Sequence, residues 1–173
     1  MFTTSLNELY FFGSFQQNSF SSSIPILLPT QSPLNYICAS QNTFLGVSSE
    51  GNVFFLGENP EKEEKIIDNN NSEGKLKLFD KLSSLEVKKI KQFEYGMYVL
   101  TKQNELFLFK REKALIPIEL PSDSKIMDFD LDGHSLFCLD EKGLVWKGED
   151  GGGRIRVFEA CKNEYFSNIY VGR

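Results

Sequence analysis

The sequence predicts an all-β fold, a partial β-propeller built of about three to four four-stranded antiparallel blades. Three observations predict it. An aromatic strand entered through a Gly or Asn turn recurs with starts near residues 7, 51, 104 and 143, at spacings of 44, 53 and 39 residues, and propeller blades repeat at about 40 to 50 residues. Two weaker strands lie between consecutive hairpins, giving about four short strands per repeat, the number in a propeller blade. No segment shows a convincing helical period; Glu61 to Ile67 has apolar positions for one turn at most.

The recurring strand comes first. Gly51-Asn52-Val53-Phe54-Phe55-Leu56-Gly57 reads as turn, strand, glycine. Near copies are Asn7-Glu8-Leu9-Tyr10-Phe11-Phe12-Gly13, Asn104-Glu105-Leu106-Phe107-Leu108-Phe109-Lys110 and Gly143-Leu144-Val145-Trp146-Lys147-Gly148. Three of the four follow another apolar strand across a polar turn. Thr43 to Val47 precedes Ser48-Ser49-Glu50-Gly51, Tyr98 to Leu100 precedes Thr101-Lys102-Gln103-Asn104, and Leu136 to Leu139 precedes Asp140-Glu141-Lys142-Gly143. Gly and Asn tolerate the positive φ that such turns demand, so each pair reads as a hairpin.

The weaker strands follow in two sets. One is Pro25 to Leu28, Lys77 to Phe79, Leu115 to Ile118 and Ile155 to Phe158. The other is Leu34 to Ile37, Val87 to Ile90, Lys125 to Asp128 and Ser167 to Val171. The long spacing between the second and third repeats holds an insertion, Glu61 to Glu73, with Asn69-Asn70-Asn71 in its middle. Residues 1–173 therefore read as one repeat domain, an incomplete ring.

Composition narrows the function. The chain has 173 residues, 16 of them Phe, and aromatics suit half-buried pleated surfaces. The net charge of −5 disfavours direct nucleic-acid binding, which needs clustered Lys and Arg. Lys88, Lys89 and Lys91 are flanked by Glu86 and Glu94 and read as a solvated strand face. Cys38, Cys138 and Cys161 are widely spaced, and His134 is the one histidine. That is no zinc pattern; free thiols in a reducing compartment are expected, and no metal or other cofactor. The N-terminus lacks a basic segment followed by an apolar stretch, and no apolar run approaches the roughly 20 residues of a membrane helix. A soluble, intracellular protein, cytoplasmic or nuclear, with no membrane partner is expected.

Catalytic motifs are missing. The chain contains no phosphate-cradling Gly-x-x-x-x-Gly-Lys-Ser/Thr loop and no Gly-x-Ser-x-Gly elbow. Asp128, Asp130 and Asp132 start like a calcium loop, but Leu139 stands where its last ligand, a Glu, belongs. Their alternation with Phe129 and Leu131 reads as an acidic strand face. Gly151 to Gly153 reads as a flexible loop.

These repeats resemble the regulator-of-chromosome-condensation repeat family, whose units open with Gly-x-Val-aromatic-x-Trp-Gly-x-Asn and end near Gly-x-x-His-Ser-x-x-Leu. Gly51 to Asn59 fits the opening with Leu56 for Trp, and His134-Ser135-Leu136-Phe137-Cys138-Leu139 fits the ending. Cys38 to Thr43 resembles the same ending, and Gly96-Met97 takes the His-Ser place in a degenerate unit. Kelch repeats would show a double glycine followed by Tyr and Trp, and WD repeats a Trp-Asp dipeptide; neither is present. The resemblance spans about three and a half units of what in the family is a seven-bladed ring. It implies that His134 is structural, tying neighbouring blades together.

Half a ring leaves open edges and apolar faces. The sequence is therefore a piece of a longer chain, an arc closed by a partner such as a second copy, or an arc that stands alone. The expected function is a non-catalytic protein-interaction module of this repeat type, with binding residues on loops. The candidate partner-binding loop carries Glu58, Glu61, Glu63, Glu64, Asn69 and Asn70; a tolerated surface insertion is the plainer reading of the same residues. The resemblance implies an alternative, a guanine-nucleotide exchange factor for a Ran-type small GTPase, which would make that GTPase the protein partner. A third reading places the repeats as one domain of a larger signalling or ubiquitin-ligase protein, although no ligase cysteine setting is present.

Overall fold

The computed structural model describes residues 2–3, 8–14, 21–30, 32–40, 43–57, 60, 76–93, 96–110, 115–121, 123–132, 135–149, 155–158 and 164–170. Fifteen strands are assigned among them, with one short 3-10 helix, Asp80–Leu82. The strands are β1 Phe2–Thr3, β2 Leu9–Ser14, β3 Ser21–Leu28, β4 Leu34–Ala39, β5 Thr43–Ser48, β6 Val53–Gly57, β7 Lys77–Leu78 and β8 Val87–Phe93. They continue with β9 Gly96–Thr101, β10 Leu106–Lys110, β11 Leu115–Ile118, β12 Ile126–Asp132, β13 Ser135–Asp140, β14 Val145–Glu149 and β15 Arg156–Val157.

The strands form four sheets in chain order, β1-β2-β3, β4-β5-β6-β7, β8-β9-β10-β11 and β12-β13-β14-β15. Every pairing with a defined register is antiparallel between consecutive strands. The architecture is thus all-β with four-stranded antiparallel blades, the first sheet having three described strands. Pro25 and Pro117 lie in β3 and β11, which are outermost strands, where the missing N–H breaks no ladder in a sheet interior.

The chain separates into two compact units, Met1–Gln92 and Phe93–Arg173. In the first, Leu9, Phe11 and Leu28 pack with Leu34, Phe44, Phe54 and Leu56. In the second, Tyr98, Leu100, Leu106 and Leu108 pack with Ile126, Phe129, Leu136 and Trp146. Phe93 stacks on Tyr98 with ring centroids 5.2 Å apart. A smaller cluster joins Leu139 and Val145 to Ile169, with Phe137, Phe158 and Phe166 around it.

Register aligns the repeats residue by residue. Leu9, Val53, Leu106 and Val145 hold one position near the start of the recurring strand. Opposite them are Leu28, Phe79, Ile118 and Phe158 in turn: Leu9 pairs with Leu28, Leu106 with Ile118, and the Phe79 and Phe158 amides donate to the Val53 and Val145 carbonyls. The next repeat is docked through the turn glycine. The Val87 amide donates to the Gly51 carbonyl at 3.0 Å, and the Phe166 amide donates to the Gly143 carbonyl at 2.9 Å.

Two sequence expectations need correction. The strand expected at Ser167 to Val171 has no ladder over its described residues; Ile169 is buried while Tyr165 and Tyr170 are exposed. The segment packs as the first strand of a repeat packs, but pairs with no neighbouring strand among the described residues. The acidic face on β12 is broken, because Asp130 is buried at 2% exposure. A register shift between Ile126 and Asp128 upsets the alternation, and Asp130 Oδ1 accepts the Leu131 amide at 2.7 Å. Of the three lysines expected on a solvated face, Lys88 is exposed and Lys89 and Lys91 are half-buried.

Candidate functional site

The three complete hairpin turns share one construction. The turn opens on a buried polar residue: Ser48, Thr101 or Asp140, each at most 2% exposed. Its amide donates to the carbonyl four residues on, at Asn52, Glu105 and Leu144, at 2.9 to 3.0 Å. Its side chain accepts the amide of that same residue, at 3.2 Å for Ser48, 3.1 Å for Thr101 and 2.8 Å for Asp140. The residue three on has positive φ: Gly51 at 94°, Asn104 at 65° and Gly143 at 79°. The amide that opens each turn and the amide and carbonyl of the residue four on are thereby paired. What remains outward is the pair of tip residues, Ser49-Glu50, Lys102-Gln103 and Glu141-Lys142, all six of them exposed.

Asp140 differs from its two counterparts in having a second oxygen. Oδ1 accepts the Lys142 and Leu144 amides, and Oδ2 accepts the Trp146 indole N–H at 2.9 Å. The residue at the Trp146 position is Phe54 in the second sheet and Phe107 in the third, which have no donor to place.

Beside the Asn104 turn lies a concave feature, a cleft of about 300 Å³ lined by residues 104–106, 117–120 and 123–126. The repeat alignment explains it. Phe79 and Ile118 each stand eight residues before the first residue of the next strand, Val87 or Ile126. In the earlier repeat this connection is packed by Phe79 and by Leu82 from the 3-10 helix, 1% and 0% exposed, and Phe79 meets Phe55 edge-on with centroids 6.3 Å apart. In the later repeat the smaller Ile118 replaces Phe79, Pro121 takes the place of Leu82 and is exposed, and Ser124 takes the place of Leu85. Leu120 is buried, but the lost volume is not refilled.

Ser124 is 8% exposed, and its hydroxyl has no hydrogen-bond partner. A buried hydroxyl left unpaired costs about 1–3 kcal/mol. Around the apolar floor of Leu106, Ile118, Leu120 and Ile126 stand Glu105, Glu119, Asp123 and Lys125, all exposed.

Glu58, Glu61, Glu63, Glu64, Asn69 and Asn70 lie outside the described residues, as do His134, Cys161 and Gly151 to Gly153. Cys38 and Cys138 are free thiols. Burial, reinforced by the negative charge of Asp128, pushes the Cys138 thiol up to about 12. The Cys38 thiol is also pushed up to about 12 by burial, against the opposing charge of Lys91, although the residue as a whole is only partly covered. Neither is a thiolate nucleophile at neutral pH. Among the described residues no cluster of three His, Cys, Asp or Glu is placed to hold a metal ion, and no helix is long and apolar enough to cross a membrane. Sequence reasoning missed the cleft. Its signal is the exchange of Phe79 for Ile118 and Leu85 for Ser124 at equal spacing, legible only once the repeats are in register.

No protein-family model and no curated protein sequence matches the chain. Solved structures do. Prp20p from Saccharomyces cerevisiae, described with its binding to Gsp1p and histones, matches with a TM-score of 0.64 at 19% identity over 84% of this chain and 40% of that one. Yeast RCC1 (Prp20), solved with Kap60 bound, matches with a TM-score of 0.64 at 18% identity, covering 95% and 47%. Human WBSCR16 matches with a TM-score of 0.65 at 14% identity, covering 95% and 48%. The chain spans less than half the length of these structures. With its four antiparallel sheets in chain order, it has the fold of a partial β-propeller of the RCC1-like type.

Proposed function

We propose that the chain is a non-catalytic protein-interaction module of the regulator-of-chromosome-condensation repeat type, working inside the cell, in cytoplasm or nucleus. One observation carries the reading. The concave feature beside the Asn104 turn has an apolar floor, a charged rim and an unpaired hydroxyl, and among the described residues its lining includes no histidine or cysteine. An apolar floor with a few polar groups on its rim is the make-up of a ligand-holding cleft. Similarity to Prp20p, which binds Gsp1p and histones, supports a protein partner.

The test is affinity capture with the purified chain, followed by reconstitution of each captured protein from pure components. Saturable binding of a pure partner is the expected result; absence of any reconstituted binding removes the reading. Deleting Glu61 to Glu73 asks whether the Asn-rich loop with Glu58, Glu61, Glu63, Glu64, Asn69 and Asn70 takes part. Unchanged affinity removes the loop from the interface.

The likeness to Prp20p also supports the exchange-factor alternative. Such a factor works by differential affinity for the nucleotide-free GTPase and needs no covalent chemistry. Nucleotide release from a Ran-type GTPase decides it: no acceleration at micromolar protein ends that reading. Self-association to complete a ring is a separate proposal, put forward because the chain spans less than half the length of the solved structures it resembles. Solution mass across a concentration series tests it, a dimer being the expected species and a 19.8 kDa monomer at every concentration the contrary result.

A further inference from the structure

We infer that the cleft between the Asn104 turn and the β11–β12 connection binds a short extended peptide segment carrying a basic side chain beside an apolar one. The inference rests on the interaction-module reading and assigns it a site and a ligand class. Size sets the first limit. About 300 Å³ is the lower end of ligand sites; it takes one or two side chains, too few for a dinucleotide.

Charge sets the second limit. Among the described lining residues three are acidic, Glu105, Glu119 and Asp123, and one is basic, Lys125, an excess of two negative charges. That repels phosphates and carboxylates and attracts a guanidinium or ammonium group. Ile118 and Leu120 offer an apolar partner for the aliphatic stem of such a side chain or for its neighbour.

The third element is Ser124. Ser124 is one of the lining residues, and its hydroxyl is buried and unpaired. A peptide backbone entering the cleft offers a carbonyl to accept that O–H. A free cation offers no acceptor, which favours a peptide over an isolated amine.

The experiment titrates the purified full chain with three fluorescent probes. One is an acetylated, amidated octapeptide alternating Leu with Arg, the second carries Glu in place of Arg, and the third is a single-stranded oligonucleotide. Anisotropy is read at about 50 and 300 mM salt. The Arg peptide is expected to bind at least about tenfold more tightly than the other two, and to weaken with salt. The triple variant E105Q/E119Q/D123N, which alters exposed groups only, should remove about tenfold of that affinity and flatten the salt response. Ser124→Ala should weaken binding about two- to tenfold with little salt effect. Equal binding of both peptides, tighter binding of the oligonucleotide, or an unchanged triple variant overturns the assignment. The interaction-module reading is judged apart from this, by reconstitution with the wild-type chain.

Discussion

Trp146 donates its indole N–H to Asp140 Oδ2 at 2.9 Å, and both side chains are buried, at 6% and 2% exposure. Six residues separate them, yet the hairpin between β13 and β14 brings them together. The same two positions hold Ser48 and Phe54 in the second sheet and Thr101 and Phe107 in the third. The extra carboxylate oxygen and the indole N–H thus occur together, and a hydroxyl occurs with a ring that has no donor.

That pairing predicts a coupling. Asp140→Ser keeps a turn acceptor of the Ser48 kind but leaves the indole N–H buried and unpaired, at a cost of about 2–3 kcal/mol. Adding Trp146→Phe removes the orphaned donor and recreates the Ser48–Phe54 combination. The double variant should be more stable than the sum of the single changes implies, by about 1–2 kcal/mol, in a urea-denaturation cycle. Additive losses would show that the two residues act independently.

The turn residues predict a ranking. A Cβ on Gly51 would stand 2.7 Å from the Glu86 backbone at a φ of 94°, whereas one on Gly143 would meet the Phe166 backbone and the Tyr165 Cβ at 3.1 to 3.2 Å at a φ of 79°. Gly51→Ala therefore combines left-handed strain with a backbone clash, about 3 kcal/mol or more. Gly143→Ala should cost less, and Asn104→Gly should stay within about 0.5 kcal/mol, since its conformation already suits glycine. Thermal midpoints of the three variants check the order.

The connection packed by Phe79 predicts a contrast within one chain. Phe79→Ala empties a fully buried site and should cost about 3–5 kcal/mol. Phe12, 55% exposed, has far fewer contacts to lose, and Phe12→Ser should stay within about 0.5 kcal/mol. Similar losses at both positions would show that Phe12 is covered in solution.

Cys138 predicts a pH effect. Burial pushes its thiol up from an ordinary value of 9.0 to about 12 in the folded chain. The folded state thus holds a proton that the unfolded state releases. The stabilisation is complete below about pH 9 and declines as pH rises toward 12, by up to about 1.4 kcal/mol per pH unit. Cys138→Ala should lose that part of the slope between pH 9 and 10.5 in denaturation curves. In the native wild type, iodoacetamide at pH 8 should leave Cys138 unmodified until the chain unfolds.

The hairpins were legible because their turns need positive φ and the sequence supplies Gly51, Asn104 and Gly143 at matching places. The outer strands were legible from apolar runs such as Leu115 to Ile118. Asp130 was not, since a register shift of one residue sends a carboxylate inward and leaves no mark on composition. Nor was the tail at Ile169, where apolar residues pack without a ladder. The Asp140–Trp146 bond requires knowing which residues a hairpin folds together. The cleft is a loss of volume, visible only when Ile118 is set beside Phe79. The insertion from Glu61 to Glu73, the most distinctive stretch in composition, lies outside the described residues.

The carbonyls of Gly51 and Gly143 bear on how such a chain diverges. Each receives the next segment of chain through a main-chain amide, from Val87 of β8 in one place and from Phe166 in the other. A link made of backbone carries no side-chain information. Substitution can erode almost every letter around it while the glycine, or an Asn able to take its conformation, survives. Geometry of this kind admits many different side chains around it, which fits a fold shared at 14 to 19% identity in a chain that no family model matches.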